Sequence, residues 1–450
     1  MNPGLPGLLQ APTGSGKSEI MGHIARLAVS KGKRVGFVVN RRILVNDLCK
    51  RVKRLGLDFG IIMSGHPTEP WKPIQVASFD TLRRREILPK LDIVFIDECH
   101  FSLSEKYIEV IDRFRDQGTS IIGATATPVR GLGDGLGFVY KWMVRTPDVP
   151  DLIEQGFLVQ PRIFAPSTPD LRGVRVTGDD YNQRQLEEAC DQTKITGDIL
   201  KHWKGNLQGR PTIAFGVSLQ HCRHMTELFL GAGVRAEYVD HTSTGLDAVW
   251  GRLSNYETEV VFNVGLAGYG WDCPPVSGMI EARPTASLAL WLQHCGRPMR
   301  RHPGKLDCII NDHAGNTKRH GFPDEYREWP LDAKAVKITA DSGPSVTVST
   351  CRKCYRTFRA GPKVCPSCGT LIPIKYRKIE EVEGDLIEIA REKKARKLEE
   401  WRNGLTEEQK VKRYREWVKT AQERGYKPQW SYVICKKIFG HPPPKHWVNA

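Results

Sequence analysis

The chain has 450 residues, 40% hydrophobic and 26% charged, an ordinary balance for folded protein and too much chain for a single core, so two or three domains are expected. No apolar run approaches the ~20 residues that would cross a bilayer, and the N-terminus lacks a basic-then-apolar leader, so a cytoplasmic protein without a membrane partner is expected. Lys and Arg outnumber Asp and Glu, 67 to 51, for a net charge of +16, which favours a polyanionic partner such as nucleic acid.

The segment GLLQ at 7–10 reads as a short buried strand. A Gly-rich loop follows, Thr13, Gly14, Ser15, Gly16, Lys17 and Ser18, whose backbone N–H groups can wrap a polyphosphate. Lys17 can reach the β- and γ-phosphates, and the Ser18 hydroxyl can bind Mg²⁺. KSEIMGHIARLAVSKG has helical spacing and stops at Gly32, so strand, loop and helix succeed one another as such a site requires. The loop opens Ala11-Pro12-Thr13 without the leading Gly of the commonest form, so a Gly-rich turn with a chance Lys-Ser stays open here.

KRVGFVVN at 33–40 reads as a second strand, followed by a basic amphipathic helix, RRILVNDLCKRVKRLG. PIQVASFDTLRRR supplies a third strand and a helix start. LDIVFIDECH is a strand running into Asp97 and Glu98, and TSIIGATATPVR a strand ending in Thr125-Ala126-Thr127-Pro128. Alternating strands and helices indicate a parallel, doubly wound sheet, with ligands at the carboxyl ends of the strands. Asp97 is placed to hold Mg²⁺ through water and Glu98 to orient and deprotonate the attacking water. Two surface carboxylates after a strand are the bland alternative, and His100 alone reads as structural.

From about Pro150 the pattern restarts in a second α/β domain without its own phosphate loop. GRPTIAFGVSL, RAEYVDH, TEVVFNVG, VSGMIEARP and KLDCIINDHAG read as strands. In QHCGRPMRR, Gln293, Arg297 and Arg300 lie at a helix end, the two arginines three residues apart and able to point one way. From a facing domain, such arginines stabilise charge on a transferring phosphate. A solvated basic helix end is the usual meaning of such a run.

Together these stretches resemble the superfamily 2 helicases and translocases of DEAD/DEAH-box type. APTGSGKS is similar to the Walker A motif, DECH to Walker B, TATP to motif III, GLAGYGWDCP to motif V and QHCGRPMR to motif VI, in the family's order. Over roughly residues 8–320, with the Cys-rich module, the chain most resembles the bacterial and phage RadD-like helicases. The resemblance implies two RecA-like lobes, at 1–147 and 148–325, with ATP between them and nucleic acid across their top. It implies that Lys17 and Ser18 hold phosphate and Mg²⁺, that Asp97 and Glu98 serve metal and water, and that Gln293, Arg297 and Arg300 complete the site. Thr125 and Thr127 would couple nucleotide state to the nucleic-acid groove. Arg41, Ser78 and Thr81 would touch the sugar-phosphate backbone, and Gly270 and Asp272 would link nucleotide to nucleic acid. The family also implies an adenine-reading segment with an Arg-Pro-Tyr-Gln-like core a few dozen residues before the loop. Residues 1–10 precede it here, so either the start lies upstream or ATP binds without that clamp.

Twelve cysteines with no leader point to reduced thiols, with close pairs read as metal ligands. Cys351, Cys354, Cys365 and Cys368 form CxxC-x10-CxxC in a module at 345–372, a spacing that closes a structural Zn²⁺ site. Arg352, Lys353, Arg356, Arg359 and Lys363, with Tyr355 and Phe358, suit backbone contact and base stacking there. A protein-docking knob is the alternative. The region 373–450 reads as basic and mainly helical, with a capping box at Thr406 and Gln409 and one face lined by Val411, Tyr414, Val418 and Ala421. It would dock a repair or replication protein if it does not touch nucleic acid. The functional expectation is an ATP-dependent nucleic-acid helicase or translocase using ATP, Mg²⁺ and Zn²⁺, on DNA rather than RNA. An RNA helicase and a non-catalytic zinc-bearing adaptor are the alternatives.

Overall fold

The computed structural model describes residues 4–40, 42–101, 103–130, 134–166, 169–178, 180–190, 193–240, 243–265, 273–332, 348–372, 404–423, 426–427 and 429–448. Arg41, Gly270 and Asp272 lie outside the described residues, and so does most of the expected motif V.

The first lobe is built from β1 (Gly7–Gln10), α1 (Lys17–Ser30), β2 (Val35–Val39), α2 (Arg42–Arg54), β3 (Phe59–Ile62), β4 (Ile74–Ser78), α3 (Phe79–Arg83), β5 (Ile93–Asp97), α4 (Glu105–Asp116) and β6 (Ser120–Thr125). A two-residue ribbon, β7 (Val129–Arg130) with β8 (Asp134–Gly135), precedes β9 (Trp142–Arg145). Seven strands form a parallel sheet in the order β3-β4-β2-β5-β6-β1-β9. Strands such as VGFVV are buried along their whole length because helices cover both faces, so they read as continuous apolar runs rather than alternations. Successive residues serve opposite layers: Leu8 packs with Val38, Ile96 and Phe114, while Leu9 packs with Phe37, Val39 and Phe95.

The second lobe comprises α5 (Val149–Glu154), β10 (Gln160–Phe164), the ribbon β11 (Val176–Thr177) with β12 (Asp180–Tyr181), α6 (Gln183–Cys190), α7 (Thr193–Asn206), β13 (Thr212–Phe215), α8 (Leu219–Gly231), β14 (Ala236–Val239), α9 (Leu246–Ser254), β15 (Val260–Asn263), β16 (Gly278–Glu281), α10 (Leu288–Cys295), β17 (Asp307–Asp312) and α11 (Asn316–His320). Its parallel sheet runs β10-β17-β16-β13-β15-β14. Trp291 fills one layer of this sheet and Trp203 the other, both fully buried.

Two features tie this unit together. After α11 the chain returns to the first lobe: Arg145 donates to the Arg327 carbonyl at 2.8 Å, Gly137 N–H to the Leu331 carbonyl at 2.8 Å, and Leu331 joins the first lobe's core. The cysteine module, a hairpin of β18 (Val348–Thr350) and β19 (Thr357–Arg359), packs on edge strand β10. Phe164 and Arg356 form a β-bridge, Ala165 N–H donates to the Tyr355 carbonyl at 3.1 Å, and the Arg356 guanidinium lies over the Phe164 ring. An otherwise open sheet edge is thereby covered.

Residues 375–450 form a separate compact unit. Its helices α12 (Glu407–Glu423), α13 (Gln429–Phe439) and α14 (Lys445–Val448) close around Tyr414, Cys435, Phe439 and Trp447. The capping box forms: Thr406 N–H donates to Gln409 Oε1 at 2.9 Å, and Gln409 N–H to Thr406 Oγ1 at 3.3 Å. Among the described residues no helix is long and apolar enough to cross a membrane.

Candidate nucleotide site and metal module

The phosphate loop sits at the carboxyl end of β1. Gly14 (φ 88°) and Gly16 (φ 85°) adopt left-handed backbone that side chains disfavour, and this aims successive N–H groups inward. Gly16 caps α1, so the positive end of the helix dipole faces the loop. A Cβ on Gly16 would meet nothing within 4 Å, and Ser15 Oγ is buried with no hydrogen-bond partner. An open cradle with a spare hydroxyl and a helix N-terminus fits a polyphosphate.

Lys17 Nζ lies 2.8 Å from Asp97 Oδ1 and 2.5 Å from Glu98 Oε1. Burial works against the Lys17 charge, but the two carboxylates outweigh it and hold its pKa above the ordinary lysine value. Burial likewise opposes the Asp97 charge, yet Lys17 and Arg51 hold its pKa below the usual carboxylate range. Arg51 Nη1 lies 2.9 Å from Ser18 Oγ and 3.4 Å from Asp97 Oδ2, so both hard oxygen donors face one guanidinium. Glu98 has φ 48°, uncommon backbone for a residue with a side chain, and its N–H donates to Asp97 Oδ1 at 3.0 Å.

His100 is buried and neutral at physiological pH, its pKa pushed down to about 4 by burial. Its Nδ1 is 2.7 Å from Thr125 Oγ1, which donates to the Thr127 carbonyl at 3.1 Å and accepts from Thr127 N–H at 3.1 Å. A hydrogen-bonded chain thus runs from the acidic stretch into Thr-Ala-Thr-Pro. Ser78 caps α3, accepting from Thr81 N–H at 3.3 Å, so both hydroxyl residues stand at the carboxyl end of β4.

The second lobe faces this site. Gln293 Nε2 is 3.5 Å from Glu98 Oε2. Gly296 packs on the phosphate loop, where a Cβ would lie 2.5 Å from Thr13. A Cβ on Gly14 would lie 2.7 Å from Leu158, a residue that also bridges to Arg300. Helix α10 ends at Cys295, so Arg297 and Arg300 stand in the turn beyond it rather than on the helix. Both still line the same cleft of about 1080 Å³ as Thr13, Lys17, Ser18, Asp97, Glu98 and Gln293.

Some of this was not legible in the sequence. Glu281 Oε2 and His294 Nδ1 are 2.9 Å apart in the core, and the His294 ring stacks on Phe215 at 3.6 Å. Burial and the nearby Asp312 push the Glu281 pKa well up, while burial pushes His294 well down, and their contact anchors α10 beside Gln293. The near contact of Leu158 with the phosphate loop also had no local signal.

In the cysteine module, the four Sγ atoms of Cys351, Cys354, Cys365 and Cys368 all lie within 4.8 Å of one another. A tetrahedral Zn²⁺ with ~2.3 Å bonds needs sulfurs about 3.8 Å apart. The Cys351–Cys368 and Cys354–Cys365 separations are both 3.6 Å, so this all-thiol set fits zinc. Phe358, expected to stack on bases, is instead buried against Cys351 and Cys365, because the small module has little else to bury. Arg356 turns to Phe164, whereas Arg352, Lys353, Arg359 and Lys363 are exposed.

The family described as "Type III restriction enzyme, res subunit" matches residues 3–130. A "51.5 kDa protein" of Lactococcus phage (isolate 7-9) is 28% identical over 85% of this chain and 82% of its own. The Saccharomyces cerevisiae protein named "Putative ATP-dependent helicase IRC3" is 31% identical over 53% of this chain, which spans 37% of that protein. Among solved structures, the ATP-dependent Type ISP restriction-modification enzyme LlaBIII bound to DNA superposes with TM-score 0.52 at 15% identity, over 70% of this chain and 26% of that one. Dbp5 of S. cerevisiae bound to RNA and ADP BeF3 superposes with TM-score 0.51 at 14% identity, over 70% and 80%. The matched family and the helicase-named relatives support an ATPase of superfamily 2 helicase type, and the solved structures share its two-lobed parallel-sheet fold.

Proposed function

We propose that the chain is an ATP-driven DNA translocase or helicase of RadD-like type, acting in repair, recombination or phage replication. The observation that carries this reading is the shared cleft: loop, acids and second-lobe arginines line one space. In it Lys17 takes phosphate charge, while Ser18 and Asp97 would hold Mg²⁺, which supplies charge neutralisation at the β- and γ-phosphates. Glu98 orients the attacking water and accepts its proton. Gln293, Arg297 and Arg300 close on the nucleotide from the second lobe, so hydrolysis is tied to lobe closure. The His100–Thr125–Thr127 chain carries the state of the site towards the groove, where Ser78 and Thr81 meet the sugar-phosphate backbone.

DNA is favoured over RNA by the restriction-enzyme family matched at residues 3–130. The phage relative, similar over most of both chains, favours a phage setting. Zinc at the four cysteines serves the fold of the module, since four thiolates leave no open position. ATPase assays with single-stranded DNA, duplex, branched DNA and RNA as stimulators test the proposal. Stimulation by RNA but not DNA would replace the substrate and leave the motor reading intact. Hydrolysis indifferent to every nucleic acid would remove the translocase.

A further inference from the structure

One cation in the site has no part in the reading above. Arg51 lies near the C-terminal end of α2, with its side chain 20% exposed. Its Nη1 is 2.9 Å from Ser18 Oγ and 3.4 Å from Asp97 Oδ2. These are the two oxygens assigned to Mg²⁺. A divalent ion there would draw on the lone pairs of Ser18 Oγ and, through a bound water, of Asp97. A guanidinium on the same oxygens would compete for those lone pairs and repel the ion. The other side of the acidic pair is taken by Lys17. Two carboxylates are thus balanced by two cations of the chain itself.

We propose that Arg51 is a positioning residue of the nucleotide site that competes with the divalent cation for Ser18 and Asp97. It keeps the metal position closed until metal-bound nucleotide displaces it. This rests on the assignment of Ser18 and Asp97 to metal. The surroundings suit such a device. Helix α2 is fixed just beyond Arg51: Leu55 fills the space over Gly22, where a Cβ would lie 2.2 Å from its Cδ1, and Arg26 donates to the Leu55 carbonyl at 3.0 Å. Arg51 stands one turn before this anchor, level with Ser18 on α1. Its withdrawal can proceed by rotation about side-chain bonds, with the helix held in place. The preceding residue, Lys50, pairs with Asp247 of the second lobe at 2.8 Å, so this end of α2 also senses where that lobe stands.

The test is binding of a fluorescent non-hydrolysable ATP analogue to the full chain across a Mg²⁺ titration and in EDTA. Wild type, Arg51→Gln and Arg51→Lys are compared, with melting curves run alongside. The expected result is a Mg²⁺ midpoint lowered about tenfold in Arg51→Gln, the scale of one lost charged hydrogen bond. Arg51→Lys, which keeps the charge without the fork, should fall between. Affinity in EDTA should change by no more than about twofold across all three, since there the guanidinium holds Ser18 and Asp97 rather than phosphate. An unchanged Mg²⁺ midpoint overturns the proposal. So does a nucleotide affinity in EDTA that falls about tenfold or more in Arg51→Gln, which would make Arg51 a phosphate ligand. Wild-type binding that ignores Mg²⁺ altogether would instead sink the metal assignment, and the proposal with it.

Discussion

Gln293 of the second lobe reaches Glu98 of the first, 3.5 Å from amide nitrogen to carboxylate oxygen. The residue assigned to the attacking water is therefore touched from both sides of the cleft, by Lys17 below and Gln293 across. If Glu98 serves the attacking water, closure of the lobes and alignment of that water become one event. Glu98→Gln should accordingly cost ~10²–10⁴-fold in hydrolysis and leave nucleotide binding close to wild type. Lys17→Ala should lose both binding and hydrolysis. Single-turnover hydrolysis and equilibrium binding separate the two, and near-wild-type turnover in Glu98→Gln would remove it from the role of base.

Arg297 and Arg300 stand in a turn held against the phosphate loop, with Gly296 on Thr13 and Leu158 beside Gly14. Arg297→Ala or Arg300→Ala should lower turnover on the order of 10³-fold or more, because a finger acts on transition-state charge. Gly296→Val should have a related effect for a different reason. A side chain there meets Thr13 and holds the lobes apart, so nucleotide-driven closure, read by small-angle scattering, should be lost. Closure undiminished in Gly296→Val would show that this contact does not set the closed state.

His100, His313 and His320 are buried, and burial pushes their pKa values down to about 4, about 3 and about 4. An unfolded histidine takes a proton below ~6.5. The folded chain declines it until the lower value, so the unfolded state binds more protons in between. Stability should therefore fall as pH drops from ~6.5 towards 4, by about 1.4 kcal/mol per pH unit for each histidine. Denaturant unfolding followed between about pH 7 and pH 5 should show a shallower slope for His100→Asn. An identical slope would mean that His100 is protonated in the folded protein.

Metal analysis should find about one zinc per chain, lost in Cys365→Ser. Because the module covers β10, its unfolding should reach the second lobe, lowering that lobe's melting temperature and exposing a strand edge that promotes association. Loss of zinc with no change in the lobes would make the module a passenger.

If the basic surface serves nucleic acid, binding should weaken steeply with salt through counterion release. Removing residues 375–450, a separate compact unit, should reduce the salt slope if that unit contributes contacts. Equal slopes with and without it would make it a protein-docking region.

The placement of the candidate site was largely legible in the sequence because it lies at strand ends, where a short apolar run meets Gly, Asp or Thr. The phosphate loop, Asp97-Glu98 and Thr125-Thr127 all stand there. What could not be read depends on contacts between distant segments. Arg51 sits in a run of Lys and Arg that looks like a solvated helix face, and only the approach of α1 gives it a target. Phe358 looked available for stacking because sequence does not say how little apolar matter the module contains. Strand β10, QPRIF, carries Pro and Arg and announces itself weakly, since an edge strand needs no continuous apolar run. The turn carrying Arg297 and Arg300 was read as helix because QHCGRPMR keeps helical spacing through Gly296.

The return of the chain to the first lobe has a mechanical consequence. The lobes are joined twice: by the segment between β9 and β10, and by residues 321–331, pinned at Arg145 and Gly137. Two bodies joined at one point can swivel about any axis through it. Joined at two, they keep one easy rotation, about the line between the attachments, as a door keeps to its hinges. The easy motion of the pair is then an opening and shutting of one cleft, with sideways slip between the sheets suppressed. A chain cut after Asn316 has a single pin left, and its lobes are free to twist as well as gape.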